Sequence, residues 1–103
     1  MNKLSNIEKV HEIIMKPTAC VKCQIGQDWY QCHFEAIFIP GEYYPDYMEV
    51  QDYIMREIDG KELNIEQAAI MLKEYLLKYE PQEVKIINHI TGCKSHFDVD
   101  VTV

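Results

Sequence analysis

Residues Asn64 to Tyr79, NIEQAAIMLKEYLLKY, carry the strongest secondary-structure signal of the chain. Their apolar positions recur at the three- and four-residue spacing of a helix with one buried face; they are Ile65, Ala68, Ala69, Leu72, Tyr75 and Leu76. Asn64 is a suitable N-cap, and Glu66 lies in the first turn, where a carboxylate interacts favourably with the helix dipole. Glu66 is therefore either a surface charge or a ligand anchor, and the pattern by itself favours the surface charge.

The composition is that of an ordinary globular domain. The 103 residues are 48% hydrophobic and 26% charged, enough for one domain, residues 1–103, with a modest core. No apolar run approaches the roughly 20 residues needed to span a bilayer, and the N-terminal MNKLSNIEKVHE lacks the apolar core of a secretory signal. The four cysteines are irregularly spaced, which favours reduced thiols and a cytoplasmic location.

The charge argues against nucleic acid as the main partner. The net charge is −7, and only one of the ten basic residues, Arg56, is an arginine. The lysines are scattered along the chain, whereas nucleic-acid binding requires clustered cations that neutralise phosphates. We therefore expect a small molecule or another protein chain as the partner.

The other segments predict two hairpins around a pair of helices. Ser5–Met15 has the pattern of a short helix that Pro17 ends. Strands are predicted at Thr18–Ile25, Tyr30–Ile39, Glu83–Ile90 and Cys93–Val103, turns at Gly26–Asp28 and Thr91–Gly92, and a further amphipathic helix at Asp46–Ile58. This order indicates an α+β fold in which an antiparallel four-stranded sheet carries both helices on one face. Such an open sheet has two free edges, which favours assembly with copies of itself into a ring.

The ββααββ order resembles the repeating unit of the tunnelling fold. Members of that superfamily assemble into barrels and bind purine- or pterin-like bases between subunits. A glutamate near the start of the second helix typically holds the base, so the resemblance implies that Glu66 is the anchor, with Ile65 beside it. A single carboxylate can accept two hydrogen bonds from the N–H edge of a guanine-like base.

Within the superfamily, the chain is most similar to the 7-cyano-7-deazaguanine reductases of queuosine biosynthesis. Cys23–Asp28, CQIGQD, resembles their Cys-Pro-x-x-Gly-Gln-Pro-Asp segment with two residues removed. Phe38–Pro40 resembles the Tyr-Ile-Pro that closes their second strand. Asn64–Glu66 stands where they have a His-Glu pair, with Ile65 in place of the histidine. The stretch from Val84 through Gly92 to Asp100 resembles their final hairpin.

The resemblance implies a covalent mechanism. Cys23 would be the nucleophile and Asp28 the proton donor: the thiolate adds to a nitrile to give a thioimide, which hydride from NADPH reduces to an amine. Such chemistry requires an activated thiol and an acid that protonates the developing nitrogen anion. The alternative from the residues alone is that Cys23 is a small buried side chain and Asp28 a turn residue.

One segment departs from the reductases. Where they have a lysine-rich stretch that binds NADPH, this chain has Asp46–Tyr53, which contains no lysine and several acids. These acids would repel a phosphorylated ribose, so the segment argues against the NADPH that the resemblance implies. A related amidinotransferase-like branch acting on nitrile-bearing tRNA also lacks the NADPH segment, but the acidic charge here argues against tRNA.

Two other readings stay open. The first is a non-catalytic tunnelling-fold protein. The second is a zinc-dependent pterin enzyme, for which the available ligands are Cys20, Cys23, Cys32, His33, His89, Cys93 and His96. Residues three apart on a strand point to opposite faces, so Cys20 and Cys23 could chelate only on a bent strand. The tyrosines Tyr43, Tyr44, Tyr47 and Tyr53 could stack on a base or be buried by oligomerisation, and we favour burial.

Overall fold

Two helices lie between two groups of strands along the chain. A computed structural model describes residues 2–3, 12–22, 29–92 and 98–103. Its elements are β1 (Asn2–Lys3), β2 (Ile13–Met15), β3 (Thr18–Lys22), β4 (Trp29–Ile39), β5 (Tyr43–Tyr44), α1 (Tyr47–Glu57), α2 (Ile65–Leu77), β6 (Glu83–Gly92) and β7 (Asp98–Thr102). Apart from the short strands β1, β2 and β5, this is the predicted ββααββ order of an α+β fold.

The long strands form one antiparallel sheet. Its order is β2–β4–β6–β7, and β3 pairs with the same edge of β4 as β2 does. β4 and β6 make the central pair, in register from Tyr30–Gly92 to Ile39–Glu83. β7 pairs with the far side of β6, while β1 and β5 form a separate two-stranded pairing. The two predicted hairpins are thus joined side by side through β4 and β6.

The helix predicted over Ser5–Met15 is wrong at its C-terminal end. Ile13–Met15 is a strand, and β2 and β3 pair with β4 in one unbroken register across Pro17. An edge strand tolerates proline, and the Pro17 carbonyl still accepts a hydrogen bond from the Phe34 N–H at 2.9 Å. Strand pairing here overrides the helical spacing of the apolar residues. The earlier part of the predicted helix, residues 5–11, lies outside the described chain.

The turn predicted for the second hairpin is also wrong. Thr91–Gly92 is not a turn but the end of β6, because Thr91 pairs with Asp98 and Gly92 with Tyr30. The neighbouring strands β4 and β7 extend β6 through these two residues. A Thr-Gly pair by itself predicts a turn and not this pairing. The start of the predicted last strand, residues 93–97, and the end of the predicted first strand, residues 23–25, lie outside the described chain.

The core lies between the helices and one face of the sheet. Buried and partly exposed side chains alternate along β4, and those facing the helices are at most 2% exposed: Cys32, Phe34, Ala36 and Phe38. From the helices, the fully buried residues include Ala68, Ala69, Leu72, Leu76 and Ile58. Tyr47, at the start of α1, is 47% exposed.

Side-chain caps fix where both helices begin. Asp46 Oδ1 accepts the Met48 N–H at 2.8 Å, and Asn64 Oδ1 accepts the Glu66 N–H at 2.9 Å. Each cap supplies an acceptor for a backbone donor that has no partner within the helix. Within the described residues, neither helix is long and apolar enough to cross a membrane.

Candidate functional site

The segment joining the helices runs along the free edge of β3. We call residues 59–63 the strap. Cys20 donates its N–H to Asp59 Oδ1 at 3.0 Å and accepts the Gly60 N–H at 2.8 Å. Lys22 donates its N–H to the Lys61 carbonyl at 2.9 Å and accepts the Leu63 N–H at 3.0 Å. The strap therefore satisfies the outward-facing backbone groups of β3 at both positions.

The strap brings the start of α2 beside the end of β3. Lys22, bonded to Leu63, is the last residue of β3 and the last described residue before Cys23. Glu66 lies three residues beyond Leu63, in the first turn of α2, and its side chain is exposed. An exposed carboxylate is therefore available for a ligand at this end of the sheet. Of Ile65, only the backbone position at the first residue of α2 is described.

In both hairpins, the first strand ends and the second strand begins at this same end of the sheet. Lys22 pairs with Trp29, so the segment 23–28 begins and ends at one register pair. Next to Trp29, Tyr30 pairs with Gly92 at the end of β6. Cys23 and Asp28, the predicted nucleophile and acid, lie outside the described residues, and their roles stay predictions.

Trp29 and Asp59 border this region, and the sequence reasoning missed both. Trp29 is the only tryptophan of the chain and is 43% exposed. Asp59 and Gly60 form an Asp-Gly pair between the helices, and the Asp59 side chain contacts β3. An Asp-Gly pair between two helices signals a turn, but nothing in the sequence says which strand the turn contacts.

The two described cysteines have different environments. Cys32 is buried, and this burial raises the pKa of its thiol; a hydrogen bond with Asn88 lowers it and nearby Cys20 raises it further. Cys20 is exposed, and its thiol donates to Gln31 Oε1 at 2.9 Å. Both are free cysteines. A buried thiol with a raised pKa carries little of the reactive thiolate at neutral pH.

The described residues do not support the hypothesis of a zinc site. Cys32 faces the core, whereas Cys20 and His33 are exposed. Among the residues the structure describes, no group of three or more His, Cys, Asp or Glu side chains is arranged to hold a metal ion. The other ligands considered, Cys23, Cys93 and His96, lie outside the described chain.

A histidine between two carboxylates lies on the sheet face opposite the helices. His89 Nδ1 is 2.8 Å from Asp100 Oδ1, and Nε2 is 3.6 Å from Glu35 Oε2. The hydrogen bond to Asp100 is the main cause that raises the pKa of His89 above its ordinary value. His89 is inside β6 and directly opposite His33 of β4.

The four tyrosines considered for base stacking, at positions 43, 44, 47 and 53, do not form one cluster. Tyr53 stacks on Tyr75 of α2, with ring centroids 4.2 Å apart and planes at 11°. Tyr43 and Tyr44 pair with β1, and Tyr47 is exposed. Tyr53 is thus packed within the chain, between the two helices, rather than by oligomerisation.

Comparison with known proteins supports the fold. No protein-family model matches the sequence, and no curated protein matches it. The solved structure of an archaeosine synthase QueF-Like in the apo form matches over 88% of this chain and 91% of that chain, with a TM-score of 0.70 and 18% sequence identity. The match shows that this chain has the same fold as that synthase, in agreement with the tunnelling-fold expectation.

Proposed function

We propose that this protein binds a 7-deazaguanine-type or pterin-type base and that Cys23 adds to a nitrile carried by the base. Glu66 anchors the base, and Asp28 supplies the proton. The observation that carries the proposal is the hydrogen bond between the Leu63 N–H and the Lys22 carbonyl, 3.0 Å long. It joins Lys22, which precedes Cys23 in the chain, to Leu63, which precedes the first turn of α2, and so supports a site that combines Cys23 with Glu66.

The proposed step conserves all atoms of the base. The Cys23 sulfur forms a bond to the nitrile carbon, one π bond of the nitrile breaks, and its nitrogen takes a proton from Asp28. The product is a thioimide whose mass is that of the protein plus the whole base. Glu66 supports this step by fixing the N–H edge of the base, because holding reactants in place lowers the entropic part of the barrier.

The fate of the thioimide separates two enzyme classes. In a reductase, a first hydride and proton from NADPH and solvent would reduce the thioimide, whose carbon–sulfur bond then breaks to release the thiol and leave an imine. A second hydride, from a second NADPH, and a second proton would reduce that imine to the amine. In the second candidate function, a nitrogen nucleophile attacks the same carbon and releases the thiol, which leaves an amidine. The resemblance to the reductases favours the first class.

The start of α1 favours the second class. The Asp46–Tyr53 stretch, which matches the lysine-rich NADPH segment of the reductases, is acidic here. Asp46 caps α1, and Glu49 Oε2 accepts the Tyr79 hydroxyl at 2.7 Å, so both acids have structural partners within the chain. The structural neighbour is itself named an archaeosine synthase. Because the chain is acidic overall, we expect the free base rather than tRNA as the substrate.

Intact-mass spectrometry with 7-cyano-7-deazaguanine tests the covalent step. Wild-type protein is expected to gain the mass of the base, and the Cys23→Ala variant is expected to gain nothing. Cys20→Ala is the matched control, because it removes an exposed thiol three residues away and should leave the adduct intact. An adduct that survives in Cys23→Ala and disappears in Cys20→Ala would contradict the assignment.

Calorimetric titration with the same base tests the anchor. Glu66→Gln should weaken binding on the order of tenfold or more, because a neutral amide cannot accept both N–H donors as a carboxylate does. Glu74→Gln, also exposed on α2, is the control that should bind normally. NADPH oxidation by the adduct identifies a reductase, and consumption of the adduct by ammonia identifies the second class. Base binding without an adduct, or no binding at all, would leave a non-catalytic tunnelling-fold protein.

We further propose that the protein acts as a homo-oligomer, as the tunnelling-fold resemblance implies. One face of the sheet carries the helices, while the other exposes Ile14, at 50%, and leaves Ile37, Ile39 and Ile87 only partly buried. Apolar side chains on such a face are consistent with a subunit whose sheet lines an interior shared with its copies. Base sites between subunits would then combine groups from neighbouring chains.

A further inference from the structure

We propose that Asp59 is a positioning residue for the base site, acting through the strap. This inference rests on the proposed function, because it concerns how Glu66 is held relative to Cys23. Asp59 needs no contact with the base. Its side chain fixes the strap against β3, and the strap in turn fixes the start of α2.

Between the strap and β3, the bond from Cys20 to Asp59 uses a side-chain acceptor. Three further bonds join backbone groups and do not depend on residue type. Asp59 Oδ1 accepts the Cys20 N–H at 3.0 Å. Any substitution that removes this acceptor leaves an edge N–H of β3 without its protein partner, whereas substitutions elsewhere in the strap leave the backbone bonds available.

Asp59 also connects three elements. Its own N–H donates to the Ile54 carbonyl at 2.8 Å, which ties it to the last turn of α1. Its carboxylate reaches β3, and the strap that follows it leads into α2 at Asn64. The position of α2 against the end of β3 therefore depends on where Asp59 is held, because only four residues separate Asp59 from the N-cap of α2.

The turn at Gly60 allows this arrangement. Gly60 has φ of +75°, a conformation that glycine adopts readily and that residues with a Cβ adopt only with strain. A Cβ added there would meet no atom within 4 Å, so the cost of a substitution is conformational and not steric. Gly60→Ala thus strains the strap without changing the Asp59 side chain. It provides a second way to disturb the attachment of the strap to β3.

The consequence for the base site follows from the geometry that covalent addition demands. The nitrile carbon must lie within bonding reach of sulfur while the base edge remains on the Glu66 carboxylate. A misplacement on the order of 1 Å can reduce such a rate about 100-fold. The strap connects the end of β3 with the start of α2, which carries Glu66, so loosening it should weaken both base affinity and adduct formation.

The test compares three variants with wild type. Asp59→Ala removes the acceptor, and Asp59→Asn retains an Oδ1 that can accept the same N–H, so it should rescue the effect. Asp46→Ala is the matched control, since it removes a bond of the same type, Asp46 Oδ1 to the Met48 N–H, at the opposite end of α1. The measurements are hydrogen exchange of the Gly60, Lys22 and Leu63 amides without ligand, calorimetric affinity for 7-cyano-7-deazaguanine, and the rate of adduct formation.

We expect Asp59→Ala to speed exchange of the strap amides and to lower base affinity and adduct rate on the order of tenfold or more. Asp59→Asn should stay within about twofold of wild type, and Asp46→Ala should keep wild-type affinity. If Asp59→Ala does not fold, Gly60→Ala should show the same changes in smaller degree. Unchanged strap exchange, or faster exchange with unchanged base affinity, overturns the proposal. If wild type binds no base, the proposed function fails. The hydrogen exchange of the strap amides in Asp59→Ala then still tests whether Asp59 holds the strap: faster exchange supports this role, and unchanged exchange contradicts it.

Discussion

His89 lies between two carboxylates on the sheet face opposite the helices. Its Nδ1 is 2.8 Å from Asp100 of β7, and its Nε2 is 3.6 Å from Glu35 of β4. Two acceptors, one at each ring nitrogen, favour the imidazolium, in which both nitrogens carry a hydrogen. The hydrogen bond with Asp100 is the largest cause that raises the pKa of His89, and the bond to Glu35 adds to it.

Stability should therefore depend on pH through His89. Because its pKa is raised in the folded protein, the interaction stabilises the fold fully below the unfolded pKa of about 6.5 and is lost as pH rises through the folded pKa. Asp100→Asn should lower the His89 pKa, measured by NMR titration of the ring protons, and should flatten the loss of stability with rising pH. Glu35→Gln should lower it less, because its bond is longer and weaker. A larger effect from Glu35→Gln would contradict this order.

At the residue scale, the sequence predicted positions more reliably than contacts. The helical spacing of the apolar residues in α2 predicted that Asn64 caps the helix and that Glu66 lies in its first turn, and both are confirmed. The contact of Asp59 with Cys20 joins residues 39 positions apart and depends on how the strap meets the sheet. A local pattern contains no information on such a pairing, so the sequence could not predict it.

The two helices are joined by a network of tyrosine hydroxyls. Tyr79 donates to Glu49 Oε2 at 2.7 Å, and Tyr75 donates to the Glu49 carbonyl at 3.2 Å. Burial, and then the hydrogen bonds with Tyr75 and Glu49, raise the pKa of Tyr79 well above its usual range. The hydroxyl is therefore a donor at neutral pH. α1 is held to α2 by these specific bonds as well as by its buried residues.

Removing one hydroxyl should loosen this helix contact by a measurable amount. Tyr79→Phe keeps the ring, including its edge contact with Phe38 at a centroid distance of 6.4 Å, and removes the hydroxyl with its short bond to Glu49 and its longer, 3.4 Å contact with the Tyr75 hydroxyl. We expect the free energy of unfolding in urea to fall by about 1 kcal/mol, the usual worth of such a bond. Tyr47→Phe, at an exposed position, should change it by less than about 0.5 kcal/mol. Equal effects of the two substitutions would show that the Tyr79 hydroxyl adds nothing.

At the element scale, predictions succeeded where one period dominated a long segment. The predicted helices Asp46–Ile58 and Asn64–Tyr79 each agree with α1 and α2 to within two residues at both ends. The prediction was wrong at Ile13–Met15, because three residues satisfy both a helical and an alternating pattern and β4 decides between them. Pro17 was read as a stop, yet an edge strand continues through it.

At the scale of the whole molecule, the two edges of the sheet differ. The strap occupies the β3 edge at Cys20 and Lys22, so a second chain cannot pair there while the strap is in place. The protein measures 48 × 24 × 16 Å, a thin slab with helices on one side of the sheet. At the opposite edge, no described strand pairs with the outer side of β7. If copies join edge to edge, the outer side of β7 in one copy should therefore pair with the β2 part of the other edge in its neighbour.

The outward backbone groups of β7 can be identified from its pairing. Ile86 and Val103 exchange both backbone hydrogen bonds, at 3.0 and 2.9 Å. Because alternate residues of an antiparallel strand point their N–H groups to opposite sides, the Thr102 N–H faces away from β6. A proline at position 102 would remove a donor from the open edge and leave the inner ladder intact, and the preceding Val101 is already extended as proline requires.

Thr102→Pro should therefore dissociate the proposed oligomer without unfolding the subunit. Light scattering after size exclusion should give a multiple of the 12.2 kDa chain mass for wild type and a smaller species for the variant, with the circular dichroism spectrum retained. Thr102→Val, which keeps the N–H, is the control and should assemble normally. A wild-type monomer would exclude the ring, and a Thr102→Pro protein of undiminished mass would show that copies meet elsewhere. Loss of base binding on dissociation would further indicate that the site needs groups from two chains, as expected if Glu66 and Cys23 act at a seam between subunits.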